Sequence, residues 1–129
     1  MEKLFKTLGD ENRLRILNLL TIEELCVCEI EVVLDLTQSN VSRHLAKLRS
    51  AGLIIGDKDK QWIHYKVSDG VRLDNRHLFD YLLDKFQGTT VYQQDKNRLK
   101  SYKESSYTCQ TIRADRAFVM NYLEAENSF

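Results

Sequence analysis

The sequence predicts a mainly α-helical domain that carries one small β-hairpin. Three observations predict it. Apolar residues recur at helical spacing over most of the chain. That period gives way to short β-prone runs only between Gly52 and Val67. The chain contains no proline, the residue that most strongly interrupts helices. Its 129 residues suit one domain with a real core.

The elements follow in order. Leu4, Phe5 and Leu8 form a first short stripe, broken at Gly9-Asp10, where Asp10 is a fair N-cap. Leu14, Ile16, Leu17 and Leu20 predict a second helix over 11–20. Leu25, Ile30, Val33 and Leu34 are the apolar face of a third, over about 25–35. Thr37 is a good N-cap for a fourth, in which Val41, Leu45 and Leu48 run at i, i+4, i+7 and which Gly52 ends. Leu53 to Ile55 and Trp62 to Val67 read as the two strands of the hairpin, with Asp57 to Lys60 at its tip. Beyond Ser68-Asp69-Gly70 a fifth helix covers 71–86, with Leu73, Leu78, Phe79, Leu82, Leu83 and Phe86 apolar. Further helical patterns lie at Gln94–Glu104 and Arg113–Glu126, separated by a loop over Lys103–Thr108 that ends at Cys109. The organisation expected is therefore residues 1–88 as one domain and residues 89–129 as a C-terminal helical extension or tail carrying Cys109.

Formal net charge is zero, but the charge is unevenly spread. Between Thr21 and Leu36 there are five acidic residues and no Lys or Arg; between Thr37 and Lys66 there are six basic residues against two acidic ones. No apolar run approaches the roughly 18 residues of a membrane helix, so no membrane partner is expected. The N-terminus shows no export signal. An odd count of three cysteines then points to a reducing cytoplasm rather than a disulfide framework. No Ser-His-Asp set, phosphate loop or standout carboxylate pair is visible, so neither an enzyme nor an organic cofactor is expected.

Two short helices, a turn at Asp35 to Thr37, a polar-faced helix and a hairpin make a winged helix-turn-helix. An α-helix fits the major groove of B-DNA, and its N-terminal residues reach base edges. The fourth helix offers Gln38, Ser39, Asn40, Ser42, Arg43 and Lys47, types that contact bases and phosphates alike. Lys58 and Lys60 at the hairpin tip suit a neighbouring phosphate. Double-stranded operator DNA is the partner this pattern favours. A two-fold dimer would read two half-sites roughly 34 Å apart or a multiple of that.

The runs LGDENRLRILNLL, ELCVCEI, LTQSNVSRHLAKLRSAGLI and WIHYKV resemble the ArsR/SmtB family of metal-sensing bacterial repressors over about residues 1–86. The QSxVSxHLxxLRxAGL block is specific for winged-helix repressors of this type, and ELCVC for the arsenic, cadmium and lead branch. The resemblance implies a homodimer, joined through its first and fifth helices, that binds an operator and releases it when a thiophilic ion binds. As(III) is the first candidate inducer, with Sb(III), Cd(II) or Pb(II) as related ones. The alternatives are the same fold acting as a thiol redox sensor or as a Cd/Pb/Zn-responsive repressor.

Cys26 and Cys28 stand at i and i+2, which on a regular helix points them roughly 200° apart. Both cannot hold one ion unless the start of the third helix deforms, and such a deformation would move the helix that reads DNA. Soft thiolates select soft ions. The commonest arsenic pattern has a third cysteine three residues after the second, where this chain has Glu31. Cys109, the one remaining thiol, is the expected third ligand, from the same or the partner chain. A carboxylate of Glu29 or Glu31 would instead suit a harder ion. His44 and His64 read as packing or hydrogen-bonding residues. The zinc site that some relatives build on the fifth helix is set aside, because Arg76 stands where a histidine is needed after Asp74.

Overall fold

The computed structural model describes residues 1–59 and 62–128. The N-terminal part comprises α1 (Glu2–Leu8), α2 (Glu11–Ile22), β1 (Leu25–Cys26), α3 (Val27–Leu34), α4 (Gln38–Ser50), β2 (Ile54–Asp59) and β3 (Trp62–Val67). Then follow α5 (Asp69–Asp74), α6 (Arg76–Gly88), α7 (Thr90–Glu104), α8 (Cys109–Ala114) and α9 (Arg116–Glu126). This is a winged helix-turn-helix in which α3 and α4 are the two helices and β2–β3 the wing.

Local chemistry sets the boundaries. Asp10 caps α2, its carboxylate accepting the Arg13 N–H at 3.1 Å. Asp35 ends α3 in the left-handed region at φ 54°, where the Leu36 N–H returns to the Glu31 carbonyl at 3.0 Å. Thr37 then opens α4 by accepting the Asn40 N–H at 3.3 Å. Gly52, at φ 76°, closes α4. Its N–H bonds the Arg49 carbonyl and the Leu53 N–H bonds that of Leu48, the paired bonds of a Schellman motif. The conformation at Gly52 is one that a side chain would strain.

Three elements differ from expectation, the last being the helix read over Arg113–Glu126, which is α8 and α9 divided at Asp115, whose side chain caps α9. The third helix starts at Val27, because Leu25 and Cys26 form a strand paired antiparallel with Tyr65 and His64. The sheet is thus three-stranded, in the order β1-β3-β2. A two-residue strand is too short to show an alternating pattern. The fifth helix is broken at Asn75, whose backbone leaves the helical region (φ −129°, ψ 45°) and whose side-chain amide donates to the Val71 carbonyl at 3.0 Å. Asparagine offers the backbone this alternative to a continuous helix.

Ile16, Leu17, Ile30, Val33, Leu45 and Leu48 are buried between α2, α3 and α4. Leu99, Tyr102, Val119 and Leu123 of the C-terminal segment, each 2% exposed or less, join the same core. Burial of each large apolar side chain contributes about 1.5–3 kcal/mol. The segment packs α7 on α2 and α3, and both α8 and α9 on α3. Polar ties add to this contact. Arg15 of α2 grips Asp95 of α7 through two bonds of 2.8 and 2.9 Å. Asn18 donates to the Tyr92 carbonyl at 3.1 Å.

Three arginines close the C-terminal end of α3. Arg98 donates to the Val32 and Val33 carbonyls at 2.7 and 2.6 Å, and Arg15 to that of Leu34 at 3.2 Å. Arg116 donates to the Leu36 carbonyl at 3.0 Å. The last carbonyls of a helix have no partner within it and carry partial negative charge. Guanidinium groups satisfy both needs.

Candidate metal centre and nucleic-acid face

The β1–α3 junction holds the thiols. Cys26 is the N-cap of α3, in extended backbone (φ −89°, ψ 169°), and Cys28 lies in the first turn. The i, i+2 pair therefore straddles a strand–helix boundary instead of sitting on one helix. Cys26 needs no unwinding of α3 to turn away from Cys28.

Cys109 opens α8, which packs on α3 and carries its sulfur to that of Cys26. Against the expectation of no disulfide, the structure pairs these two sulfurs as one that spans 83 residues, with the Cα atoms 7.1 Å apart, because α8 brings Cys109 onto the cap of α3. Glu29 completes the cluster: the Cys26 and Cys109 sulfurs and a Glu29 carboxylate oxygen all lie within 4.8 Å of one another. Both cysteines are buried.

Glu29 is held from two sides. One oxygen accepts the Cys26 N–H at 3.0 Å, the return half of a capping box. The other accepts the Tyr102 hydroxyl at 2.6 Å. Burial, then the Glu29 hydrogen bond, push the Tyr102 hydroxyl well above the usual phenol range, so it stays a donor.

Cys28 is placed differently from the other two. Its sulfur, a buried free thiol, accepts from Arg113 Nε at 2.9 Å. The same guanidinium stacks 5.3 Å from the Trp62 ring centre on β3. Arg113 follows Cys109 by one helical turn on α8, so this one helix touches both thiols of the ELCVC run and the wing. Glu31, where the usual third cysteine is replaced, lies outside the cluster. Burial pushes its carboxyl above the ordinary range, while Arg116 and Arg113 pull it back.

Sequence reasoning placed Cys26 and Cys109 together and weighed Glu29 as a ligand. It missed Tyr102 and Arg113. The i, i+4 spacing of Cys109 and Arg113 was the available signal for the second; nothing local marks Tyr102.

The α4 face carries the expected polar set. Gln38, Ser39, Ser42, Arg43 and Lys47 are exposed, and Asn40 is half-buried. Arg43 rests on the Asn40 side-chain oxygen at 2.9 Å, which holds both toward solvent. Lys58 is exposed on β2; Lys60 lies outside the described residues. His44 is buried, its Nδ1 3.4 Å from Arg13 Nη1, as a packing residue would be.

A model of the bacterial regulatory protein family named arsR matches residues 10–55, from the α2 cap to β2. HlyU from Vibrio cholerae N16961, solved in its reduced form, is 38% identical at a TM-score of 0.52. The match covers 61% of this chain and 84% of HlyU. The chain belongs to the arsR family.

Two curated relatives each match about half of this arsR-family chain. The arsenical resistance operon repressor of Escherichia coli (strain K12) is 49% identical over 67 residues, 51% of this chain and 57% of that protein. The cadmium resistance regulatory protein CadC of Listeria innocua serovar 6a is 39% identical over 66 residues, 50% of this chain and 56% of its own length. The chain thus spans little more than half the length of the curated relatives it matches. Among the described residues no helix is long and apolar enough to cross a membrane. Large apolar side chains are exposed at Met1 and Phe5 near and on α1, at Leu73 on α5 and at Tyr81 on α6.

Proposed function

We propose that this arsR-family chain is a dimeric, operator-binding repressor, active in the cytoplasm, that releases DNA when a thiophilic ion binds between Cys26 and Cys109. Arsenite is the first candidate inducer, with Sb(III), Cd(II) and Pb(II) as related ones. The observation that carries this reading is the meeting of the two sulfurs at the β1–α3 junction. Cys26 is both the cap of α3 and a partner of His64 on the wing strand. An ion held there strains both DNA-contacting parts together, the helix pair through α3 and the wing through β3. Binding one state in preference to the other is what release requires.

Arsenite prefers three soft ligands. Cys28 is the third, drawn from Arg113 when the ion arrives. Gln38, Ser39, Asn40, Ser42, Arg43 and Lys47 read the operator, and Lys58 and Lys60 of the wing hold flanking phosphates. Residues 1–88 supply the DNA-binding and dimerisation part, and residues 89–129 supply Cys109. The exposed apolar residues of α1, α5 and α6 suit a two-fold partner.

The test is a gel shift on a palindromic promoter fragment at moderate salt, where non-specific binding is weak. Wild type shifts the fragment and arsenite reverses the shift. Cys26→Ser, Cys28→Ser and Cys109→Ser keep the shift and lose the reversal. A Cys109→Ser protein that lets go at the wild-type arsenite concentration overturns the assignment.

The direct sulfur contact also favours a second reading, a redox sensor. In that case the two thiols give two electrons and two protons to a peroxide, form the disulfide and leave water. The 7.1 Å Cα separation speaks for the ion, because disulfides usually span about 4.4–6.8 Å. Release by peroxide in the absence of any metal would select the redox reading.

A further inference from the structure

We infer that Glu29 is a third ligand of the Cys26–Cys109 site, making it a two-thiolate, one-carboxylate site for a borderline divalent cation of the Cd(II) and Zn(II) class. The inference rests on the reading of Cys26 and Cys109 as ion ligands. It adds the oxygen donor and says which of the candidate ions that donor favours.

Geometry comes first. The two sulfurs and a Glu29 oxygen are mutually within 4.8 Å. A tetrahedral zinc with Zn–S of about 2.3 Å and Zn–O of about 2.0–2.2 Å places its ligand atoms roughly 3.5–3.8 Å apart. Once the Cys26–Cys109 disulfide is reduced, the two sulfurs have to part from bonding contact to that spacing, and the Glu29 oxygen is already close enough to close the third side. The fourth position is left for water.

Orientation comes second. Metal-bound carboxylates are usually fixed by hydrogen bonds from behind. Glu29 has two such bonds in place, from the Cys26 N–H at 3.0 Å and from the Tyr102 hydroxyl at 2.6 Å. Tyr102 is 1% exposed, so its hydroxyl is shielded from bulk solvent. Each carboxylate oxygen has more than one lone pair, so accepting these bonds leaves lone pairs for a cation.

Charge and ligand type come third. Two thiolates and one carboxylate carry three negative charges, which a divalent cation reduces to one. A mixed sulfur and oxygen set suits borderline divalent ions, whereas arsenite favours sulfur alone. One pocket then sorts two classes of ion. A divalent cation takes the carboxylate already facing the thiol pair. Arsenite must draw Cys28 away from Arg113.

The test uses the full chain, reduced, with cadmium and arsenite salts titrated separately. Cadmium binding is read from the ultraviolet thiolate-to-metal absorption and by competition with a chelator. Glu29→Gln keeps an acceptor for the Cys26 N–H, and should weaken cadmium binding 10- to 100-fold while leaving arsenite affinity within threefold of wild type. Cys28→Ser should do the reverse. X-ray absorption of the cadmium-loaded wild type should show two sulfurs and an oxygen shell, so the inference stays testable even if Glu29→Gln folds poorly. Three sulfurs around cadmium, falling to two in Cys28→Ser, would overturn it. So would wild-type cadmium affinity in Glu29→Gln with affinity lost in Cys109→Ser, a result that leaves the thiol site itself standing. Wild-type affinity for both ions in Cys109→Ser would remove the underlying reading instead.

Discussion

Asp95→Asn should loosen the C-terminal segment and expose Cys109. Asp95 is 3% exposed and takes both of its bonds from Arg15, at 2.8 and 2.9 Å, across the α2–α7 contact. Removing one partner of a buried ion pair costs about 3–5 kcal/mol, most of it from the charge left behind. Here the remaining charge is Arg15, whose side chain is 18% exposed and keeps its bonds to Asn12 and the Leu34 carbonyl. Asparagine also retains one acceptor. A loss of about 2–3 kcal/mol is therefore expected, against a total of roughly 5–15 kcal/mol for a domain. With a urea slope of about 2 kcal/mol per molar, the unfolding midpoint falls by about 1–1.5 M. If release of α7 from α2 is the motion that uncovers Cys109, the same energy raises its alkylation rate roughly 30- to 140-fold, at 1.4 kcal/mol per tenfold. Mass spectrometry of the reduced chain after a timed iodoacetamide pulse measures that rate. A midpoint within 0.2 M of wild type would refute the energetic argument. A lowered midpoint with unchanged Cys109 protection would refute the claim that α7 docking guards the site.

Three further outcomes are expected. Arg43→Ala should weaken operator binding by tenfold or more, the loss of a base or phosphate contact, without altering cadmium or arsenite affinity; calorimetry and gel shifts separate the two. Leu73→Glu, at a side chain 69% exposed, should leave the fold intact and turn a dimer into a monomer in analytical ultracentrifugation, and a persisting dimer would move the interface elsewhere. Burial lowers the His44 pKa below 6.5, with Asp10 opposing and Arg13, Arg43 and Lys47 assisting. The unfolded chain therefore binds this proton more readily than the folded one. Stability from His44 is full above pH 6.5 and is lost as pH falls from there toward the folded pKa, by at most about 1.4 kcal/mol per pH unit. Urea midpoints from pH 7.5 to 5.5 should show this slope in wild type and a shallower one in His44→Gln.

The helical frame was legible because its signals are local. Asp10 and Thr37 as caps, Gly52 as a stop and the Val41-Leu45-Leu48 stripe each act within a few residues, and each stands where it was read. The polar face of α4 was legible for the same reason, since one amphipathic helix defines both its buried and its exposed side. What failed to show was non-local. β1 exists only because Leu25 and Cys26 pair with a strand some forty residues on. Asn75 breaks the fifth helix through one side-chain bond that propensity alone does not announce. Nothing local marks the convergence of Cys109 on Cys26; the sequence shows only that no other thiol is available. Tyr102, buried on another helix, leaves no mark in the sequence near Glu29.

Under the proposed function, that non-local part is also what would couple the thiols to the polar face of α4. α3 has only eight residues, and the C-terminal segment grips it at both ends. Arg98 holds its last carbonyls and Arg116 the Leu36 carbonyl just beyond its end, while Cys109, Arg113 and Tyr102 reach Cys26, Cys28 and Glu29 at its start. A short helix fixed at one end cannot absorb a pull at the other by fraying; it tilts as a unit. α4 packs on α3 and carries the polar face proposed to read DNA, so a tilt of α3 would displace that face. Placing one thiol at the N-cap gives an ion the position from which a small movement turns the helix most. On that reading the arginines at the far end would act as the pivot. Replacing Arg98 and Arg116 together by methionine should then leave ion affinity within a few fold of wild type and shrink the ion's effect on operator affinity. If release by arsenite were undiminished in that variant, the pivot would have to lie elsewhere.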